Sequence, residues 1–173
     1  NELIVNTPQQ TFRAALGQFF VKETSTENLA AARSLIERSE TAGADLLVLP
    51  ECIIARKLGM PEWGQKQAEP LDGPFVSGLR EATRGRRVTV VCTVQAKIAN
   101  ESRYANDLLV IQNGELRLTY QKIHLYDAFR GKESRYAAPG DVLPPVLQIG
   151  PFKVGFLTCY DVRFPEMTRA LAC

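Results

Sequence analysis

The chain has 173 residues, of which 45% are hydrophobic and 23% charged, a composition typical of a globular domain with a sizeable core. Its 21 lysines and arginines nearly balance 19 aspartates and glutamates, so the net charge of +2 gives no electrostatic reason to expect a nucleic acid or an anionic membrane as a partner. No apolar run is long enough to cross a bilayer, and the first dozen residues have neither the basic start nor the apolar core of a signal peptide. We therefore expect a cytoplasmic protein with no nucleic-acid and no membrane partner.

The cysteines argue against two further classes of site. They are far apart in the sequence, show no metal-ligand spacing and come with a single histidine. We expect neither a zinc site nor a disulfide framework, and no metal or organic cofactor. The four are Cys52, Cys92, Cys159 and Cys173.

Alternating strand and helix signals predict an α/β fold, with residues 1–12 as a polar lead-in and residues 13–173 as one domain. Thr24 and Glu27 have the spacing of a capping box, and Pro74 fits the first position of a helix. The predicted segments are, in chain order, a strand at 13–21, a helix from 24 to 43, a buried strand at 45–50, an irregular stretch at 53–73, a helix from 74 to 85, strands at 88–94, 106–112 and 115–122, a long loop at 123–143, strands at 146–149 and 152–158, and a helix from Pro165.

Asn113-Gly114 is the strongest hairpin signal in the chain and joins two antiparallel strands. In the second strand the apolar residues from Leu116 to Tyr120 alternate with polar ones, so period two places Lys122 on the apolar side. An inward lysine needs a carboxylate close to it, because a buried, unpaired ammonium would lose its charge or destabilise the fold. The alternative is a lysine that reaches back to solvent from the strand end.

Three residues with charged or reactive side chains follow predicted strands. Glu51 comes after Leu-Leu-Val-Leu-Pro, Lys122 ends its strand, and Cys159 follows Gly-Phe-Leu-Thr at the start of a turn. Because ligands of α/β folds bind at strand ends, a carboxylate, an ammonium and a thiol could converge there. Backbone N–H groups of the turn would be available to an oxyanion beside the thiol. The alternative for Cys159 alone is a buried cysteine that packs as a small hydrophobe.

The segments around these residues resemble the motifs of the nitrilase superfamily of carbon-nitrogen hydrolases. The motifs stand here as Leu-Val-Leu-Pro-Glu51, Tyr-Gln-Lys122-Ile-His-Leu-Tyr-Asp and Thr-Cys159-Tyr-Asp-Val-Arg-Phe-Pro-Glu, in the family's order, and the resemblance runs from about Arg13 to the last residue. The Lys-Ile-His-Leu-Tyr-Asp and Glu-Ser-Arg segments look most like the branch of amidases that hydrolyse deaminated glutathione. The resemblance implies a four-layer αββα sandwich with mixed sheets.

The resemblance also implies the chemistry, which is hydrolysis of a small, non-peptide amide with a carboxylate-bearing acyl group through a thioester on Cys159. Glu51 would be the general base, and Lys122 would stabilise the oxyanion together with the backbone N–H of Tyr160. Glu133 matches the family's second glutamate, which holds the lysine and helps to position the substrate. The expected partner is this small-molecule substrate.

His124 is the alternative base, because a Cys-His pair also activates thiols and His124 would lie on the same face as Lys122 if the strand continued to it. The Glu-Lys-Cys interpretation is favoured because it explains three strand ends at once. We expect Asp161, Arg163 and Glu166 to form a structural ion-pair network around the turn, and Cys52 to be buried filler.

Family members that resemble this chain continue past the cysteine helix through further strands and helices, whereas this chain stops at Cys173. We therefore expect a portion of a longer hydrolase domain, whose exposed sheet edge would favour aggregation or a homo-oligomer, a dimer or higher. Two other functions stay open: a truncated, inactive chain that acts through interactions, and an α/β domain in which Cys159 is a redox sensor. A sensor thiol needs only a cation and exposure, so an inward Lys122 with two candidate carboxylates favours the amidase.

Overall fold

Eight strands, four α-helices and two 3₁₀ helices make up the part of the chain that the computed structural model describes, residues 11–129 and 131–173. The strands are β1 (Ala14–Leu16), β2 (Leu46–Val48), β3 (Thr89–Lys97), β4 (Tyr104–Gln112), β5 (Glu115–Gln121), β6 (Ala137–Ala138), β7 (Leu147–Ile149) and β8 (Phe152–Val154). The helices are α1 (Ser25–Thr41), α2 (Trp63–Gln67), α3 (Pro74–Thr83) and α4 (Pro165–Ala172), and the 3₁₀ helices are Glu133–Arg135 and Cys159–Arg163. The predicted α/β class is confirmed.

Six strands form one mixed sheet in the order β1-β2-β3-β4-β5, with β6 also paired to β4. The strands β1, β2 and β3 run parallel, whereas β4 is antiparallel to both β3 and β5. Strand β5 therefore points the same way as β2, and the carboxyl ends of these two strands lie at the same end of the sheet. Strands β7 and β8 form a separate antiparallel pair.

The sheet has an apolar layer on each face because its side chains alternate with period two. On one face, α1 and α3 pack Ile36, Phe75, Val76 and Leu79 against Leu47, Val90, Cys92, Leu109 and Ile111 of the strands. On the other face, the β7–β8 segment and α4 pack Ile149, Phe156 and Met167 against Leu46, Val91, Leu108, Val110, Leu118 and Tyr120. The sheet is thus covered by helices on one side and by the second pair of strands with α4 on the other.

Several sequence signals for ends and turns are confirmed. Thr24 is the N-cap of α1, and its side chain accepts a hydrogen bond from Glu27 N–H (3.4 Å). Helix α3 begins at Pro74. Asn113 (φ +49°) and Gly114 (φ +80°) both adopt the left-handed conformation that a tight type I′ hairpin turn requires.

Two predicted strand boundaries are wrong. Strand β1 is three residues long, not the predicted 13–21, because its neighbour β2 ends at Val48 and the last bond between them runs from Gly17 N–H to the Val48 carbonyl oxygen (2.8 Å). Strand β8 ends at Val154 rather than at 158, because its partner β7 offers only three residues. The predicted lead-in, residues 1–12, falls almost entirely outside the described residues.

The stretch 53–73, expected to be irregular, contains the short helix α2. Contacts with residues outside the helix anchor it at its first residue: Trp63 Nε1 donates to the Glu23 carbonyl oxygen (2.9 Å), and the Lys57 ammonium lies 5.0 Å from the centroid of the indole ring. A helix of five residues is not stable by local propensity alone, so its sequence carries little helical signal. Within the described residues, no helix combines the length and apolar character needed to span a bilayer.

Candidate active site

Glu51 follows β2 at the start of a loop that side chains of β3 hold in place. Thr93 Oγ1 accepts a hydrogen bond from Cys52 N–H (2.7 Å), and Gln95 Nε2 donates to the Ala55 carbonyl oxygen (2.9 Å). Cys52 has a φ of +57°, a left-handed conformation that is uncommon for residues other than glycine. The loop therefore turns sharply after Glu51, and the glutamate lines a cavity.

Lys122 follows β5, and its side chain is only 1% exposed. Its Nζ lies 3.0 Å from Glu51 Oε1 and 3.0 Å from Glu133 Oε2. Burial lowers the pKa of Lys122, but the negative charges of the two glutamates and their hydrogen bonds outweigh burial, so the pKa is raised above its ordinary value. The inward orientation predicted from the alternation is confirmed, and the ammonium stays charged.

Glu133 is the first residue of a 3₁₀ helix, and two hydrogen bonds from other segments fix its carboxylate. Tyr126 N–H donates to Glu133 Oε2 (2.7 Å), and Asn106 Nδ2 donates to Glu133 Oε1 (3.3 Å). The same Asn106 Nδ2 also donates to Glu51 Oε1 (2.8 Å). One amide and one ammonium therefore lie between the two carboxylates.

Cys159 begins the 3₁₀ helix Cys159–Arg163 in the left-handed conformation, with a φ of +48°. Backbone strain of this kind persists only where the surrounding structure holds it, and it is enriched at functional sites. The residue is exposed, and it lines a cavity of about 580 Å³ together with Glu51, Lys122 and Glu133. The four predicted side chains therefore meet at one site.

Two thiols border this cavity. Desolvation, followed by the charge of Glu51, raises the pKa of Cys159, and Lys122 opposes this effect only in part. The pKa of Cys52 is raised to about 12, again by desolvation first and then by Glu51 and Glu133. Both thiols therefore rest protonated, and a thiolate at Cys159 requires a base that removes its proton. In the parts of the chain described, no group of three or more His, Cys, Asp or Glu side chains is arranged to hold a metal ion.

Asp161 lies two residues after Cys159, and its fully buried carboxylate accepts four hydrogen bonds. The donors are Tyr120 Oη (2.8 Å), His124 N–H (3.0 Å), His124 Nδ1 (2.8 Å) and Thr158 N–H (3.0 Å). Three of these donors belong to Tyr120 and His124, which lie just before and just after Lys122. The carboxylate therefore fastens the turn that carries Cys159 to the end of β5.

The expected ion-pair network of Asp161, Arg163 and Glu166 is wrong. Asp161 turns inward, whereas Arg163 and Glu166 are exposed and form no ion pair with any described residue. His124 is bonded to Asp161, and its ring stacks on Phe164 with 3.6 Å between the ring centroids. This arrangement favours a structural role for His124 over the role of base.

Tyr160 is the residue whose backbone N–H is predicted to donate to an oxyanion, and it follows Cys159 in the same 3₁₀ helix. Its ring contacts the rings of Tyr126 (5.2 Å between centroids) and Phe164 (5.6 Å) edge to face. These contacts support the turn, and the role of the N–H stays a prediction.

The family model described as carbon-nitrogen hydrolase matches residues 13–173. The chain belongs to the carbon-nitrogen hydrolase family. It is 35% identical over 158 residues to the deaminated glutathione amidase of Escherichia coli O157:H7, and this alignment covers 91% of the chain and 60% of that protein. The chain spans 56 to 60% of the length of the first curated relatives that it matches.

Solved structures of this family share the fold. A mutant of the Nesterenkonia AN1 amidase, from the nitrilase superfamily, has a TM-score of 0.81 with 30% identity, and the match covers 93% of this chain and 61% of that one. Another mutant of that amidase carries the acetamide moiety of fluoroacetamide covalently on its active site cysteine; its TM-score is 0.79 at 29% identity, with 93% and 60% covered. The predicted nitrilase-type α/β fold is thereby confirmed.

Sequence reasoning missed three polar residues that build the site. Gln95 and Asn106 are opposite each other on β3 and β4, and both are buried on the face that elsewhere packs the apolar layer beneath α4. A polar residue at an apolar position of a period-two strand is the signal that could have found them. For Asp161 the signal is weaker, because its partners lie 37 to 41 residues away in sequence.

Proposed function

We propose that the chain carries the active site of an amidase, which hydrolyses a small, carboxylate-bearing, non-peptide amide through a thioester on Cys159. Deaminated glutathione, the substrate class in the name of the Escherichia coli relative, is the candidate substrate. The observation that supports the proposal is the convergence of Glu51 and Glu133 on the buried ammonium of Lys122, in a cavity that Cys159 also lines. Residues 13–173 would be part of the hydrolase domain, and a cytoplasmic location and a homo-oligomeric state are proposed with it.

In the first step the thiol of Cys159 attacks the carbonyl carbon of the amide. Because its raised pKa keeps this thiol protonated at rest, Glu51 accepts the proton as the sulfur–carbon bond forms. The ammonium of Lys122 and the backbone N–H of Tyr160 stabilise the oxyanion of the tetrahedral intermediate. Glu51 then returns the proton to the amide nitrogen, the carbon–nitrogen bond breaks, and ammonia or an amine leaves.

In the second step water hydrolyses the thioester. Glu51 accepts a proton from the attacking water, a second tetrahedral intermediate collapses, and the sulfur of Cys159 leaves and takes up that proton. The products are the free acid and the original thiol. Glu133 holds Lys122 in place and keeps it charged in both steps, so it positions the cation without exchanging a proton.

The residues that line the cavity favour a substrate with a negatively charged acyl group. Four cationic residues line the cavity besides Lys122, whereas the two carboxylates there already bind that buried lysine. These four wall cations are Arg56, Lys57, Lys132 and Arg135. Lys57 pairs with Glu23 (2.7 Å), whereas the other three wall cations form no ion pair within the described residues. A carboxylate on the substrate would meet free cations there.

The experiment compares two primary amides of equal length, succinamate with a terminal carboxylate and butyramide with a terminal methyl group. The chain is quenched with acid during incubation and examined by intact-protein mass spectrometry with peptide mapping. We expect a succinyl adduct on Cys159 with succinamate, little adduct with butyramide, and none in Cys159→Ala. Arg135→Gln should raise the KM for succinamate and leave butyramide unchanged. Full amidase activity in Cys159→Ala, or activity lost to a chelator and restored by a metal, would eliminate the proposal.

A further inference from the structure

Asn106 lies on β4 at a position where the alternation of the strand predicts an apolar side chain. The residues that follow it on the same face, Leu108 and Val110, belong to the apolar layer, and Asn106 itself is only 1% exposed. Its Oδ1 atom is buried and has no hydrogen-bond partner among the described residues. Burying an amide with one unpaired atom opposes folding, so a role other than packing is needed to explain it.

The other end of the amide is fully used. Asn106 Nδ2 donates to Glu51 Oε1 (2.8 Å) and to Glu133 Oε1 (3.3 Å). The backbone carbonyl oxygen of Asn106 accepts the N–H of Lys122 (3.0 Å). One residue thus contacts the lysine through its backbone and both partners of the lysine through its side chain.

These bonds leave the two oxygens of Glu51 unequal. Oε1 accepts from both Asn106 Nδ2 and Lys122 Nζ (3.0 Å), whereas neither of these donors is bonded to Oε2. Two fixed donors on one oxygen set the rotation of the carboxylate. Oε2 is therefore the oxygen left to exchange a proton in the cavity with Cys159 or with water.

We propose that Asn106 is a positioning residue, which holds Glu51 and Glu133 against Lys122 and turns the second oxygen of Glu51 toward the reacting thiol. The inference rests on the proposed function in one respect, namely that Glu51 is the base. A neutral N–H donor suits this place because it lies between two carboxylates: an acceptor would repel both, and a cation would compete with Lys122.

The test is Asn106→Asp, which keeps the shape and exchanges the N–H donor for a carboxyl group that donates only while it is protonated. The two neighbouring carboxylates raise the pKa of the introduced group, so it changes from donor to repelling acceptor as pH rises. Asn106→Leu is the matched control, with similar volume and neither donor nor charge. The readout is the rate at which iodoacetamide alkylates Cys159 over a series of pH values, followed by peptide mapping.

For Asn106→Asp we expect a rate close to that of the unmodified chain at the acidic end, and a growing deficit as pH rises. The added negative charge disfavours the Cys159 thiolate, and each unit by which it raises the pKa of the thiol slows alkylation about tenfold below that pKa. For Asn106→Leu the ratio to the unmodified chain should be independent of pH. An Asn106→Asp ratio that is flat in pH, in a variant whose circular dichroism matches that of the unmodified chain, would overturn the inference.

If Asn106→Asp does not fold, Asn106→Ser provides the second variant, because it is small, neutral and too short to reach both carboxylates. It should lower the kcat for succinamate and leave its KM nearly unchanged, since the base loses its orientation while the wall cations remain. An unchanged kcat would refute the inference. The two proposals fail separately: absence of a Cys159 adduct with amides removes the proposed function, whereas a flat alkylation ratio removes only the role of Asn106.

Discussion

Replacing Lys122 with methionine tests how far the charges of the site also support the fold. Methionine has a similar length but no charge, so the variant would leave the carboxylates of Glu51 and Glu133 close together with only the amide of Asn106 between them. Removal of one partner from a buried ion pair is strongly destabilising, because it leaves uncompensated charge in a medium of low dielectric constant.

The magnitude follows from the burial of the partners. Breaking a buried pair costs about 3–5 kcal/mol, and we take the lower end, about 3 kcal/mol, because 35% of the Glu51 side chain is exposed. In a chain of 173 residues each kcal/mol moves Tm by about 2–4 °C, so Lys122→Met should lower Tm by about 6–12 °C.

The pH dependence has a definite sign. The pKa of Lys122 is raised in the folded state, so its contribution to stability is fully present below its ordinary value of 10.5 and is lost only as pH rises through the folded pKa. In Lys122→Met the two carboxylates face each other without the cation, so their mutual repulsion should destabilise the variant more as pH rises and both become charged. The difference in Tm between the two proteins should therefore widen from acidic to neutral pH.

The assay is calorimetry over a pH series, with Lys22→Met as the control. Lys22 pairs with Glu27 at 2.9 Å on the surface, with its side chain 57% exposed, and loss of such a solvent-screened pair should leave Tm nearly unchanged at every pH. Equal losses in the two variants, or a Lys122→Met deficit that does not depend on pH, would refute the electrostatic reasoning. The same variant should form no acyl adduct on Cys159.

Three further predictions concern two buried carboxylates and the half-buried His124 around the site. Burial raises the pKa of Asp107 from 3.8 to about 6, so the folded state binds the proton more tightly than the unfolded state. The free energy of unfolding should therefore fall by about 3 kcal/mol as pH rises through this window. In calorimetry Asp107→Asn should remove that dependence and raise Tm at neutral pH, and an unchanged profile would contradict the prediction. Asp161→Asn keeps one acceptor oxygen and places an NH2 group against two of the four donors. It should lower the free energy of unfolding, measured by chemical denaturation, by about 3 kcal/mol. A loss below about 1 kcal/mol would show that the four bonds are not needed. His124→Asn should lower stability by about 1–2 kcal/mol and leave the acylation of Cys159 intact; a folded variant that no longer acylates would restore the Cys-His mechanism.

Local patterns in the sequence predict the backbone of the site well. The inward position of Lys122 follows from alternation along β5, and the hairpin before it follows from Asn113-Gly114, because both depend on neighbours in sequence. The strand before Glu51 could be located for the same reason, whereas Cys159 begins a 3₁₀ helix after β8 has ended at Val154 and does not lie at a strand end. The convergence of Glu51 and Lys122 follows from topology, since β2 and β5 point the same way in one sheet.

The residues that sequence reasoning missed depend on contacts made far along the chain. Asn106 bonds to Glu51, 55 residues away, and Asp161 bonds to Tyr120, 41 residues away. Pairs of residues so far apart along the chain produce no periodic pattern in the sequence that would identify them as partners. Nearby charges of opposite sign suggested instead that Asp161 pairs locally with Arg163, and burial of the carboxylate overrode that suggestion.

Asp161 joins the segment that carries Lys122 to the turn that carries Cys159. Lys122 lies between Tyr120 and His124, both bonded to Asp161, and Cys159 lies two residues before it in the same 3₁₀ helix. A carboxylate that fixes both segments can keep the strained backbone of Cys159 in place without touching the substrate. We therefore expect Asp161→Asn to slow alkylation of Cys159 more than it alters the pH dependence of that reaction, because the variant loosens the position of the thiol while Glu51 and Lys122 still set its charge environment. A change in the pH profile as large as that expected for Asn106→Asp would instead mean that Asp161 acts on the thiol through its charge.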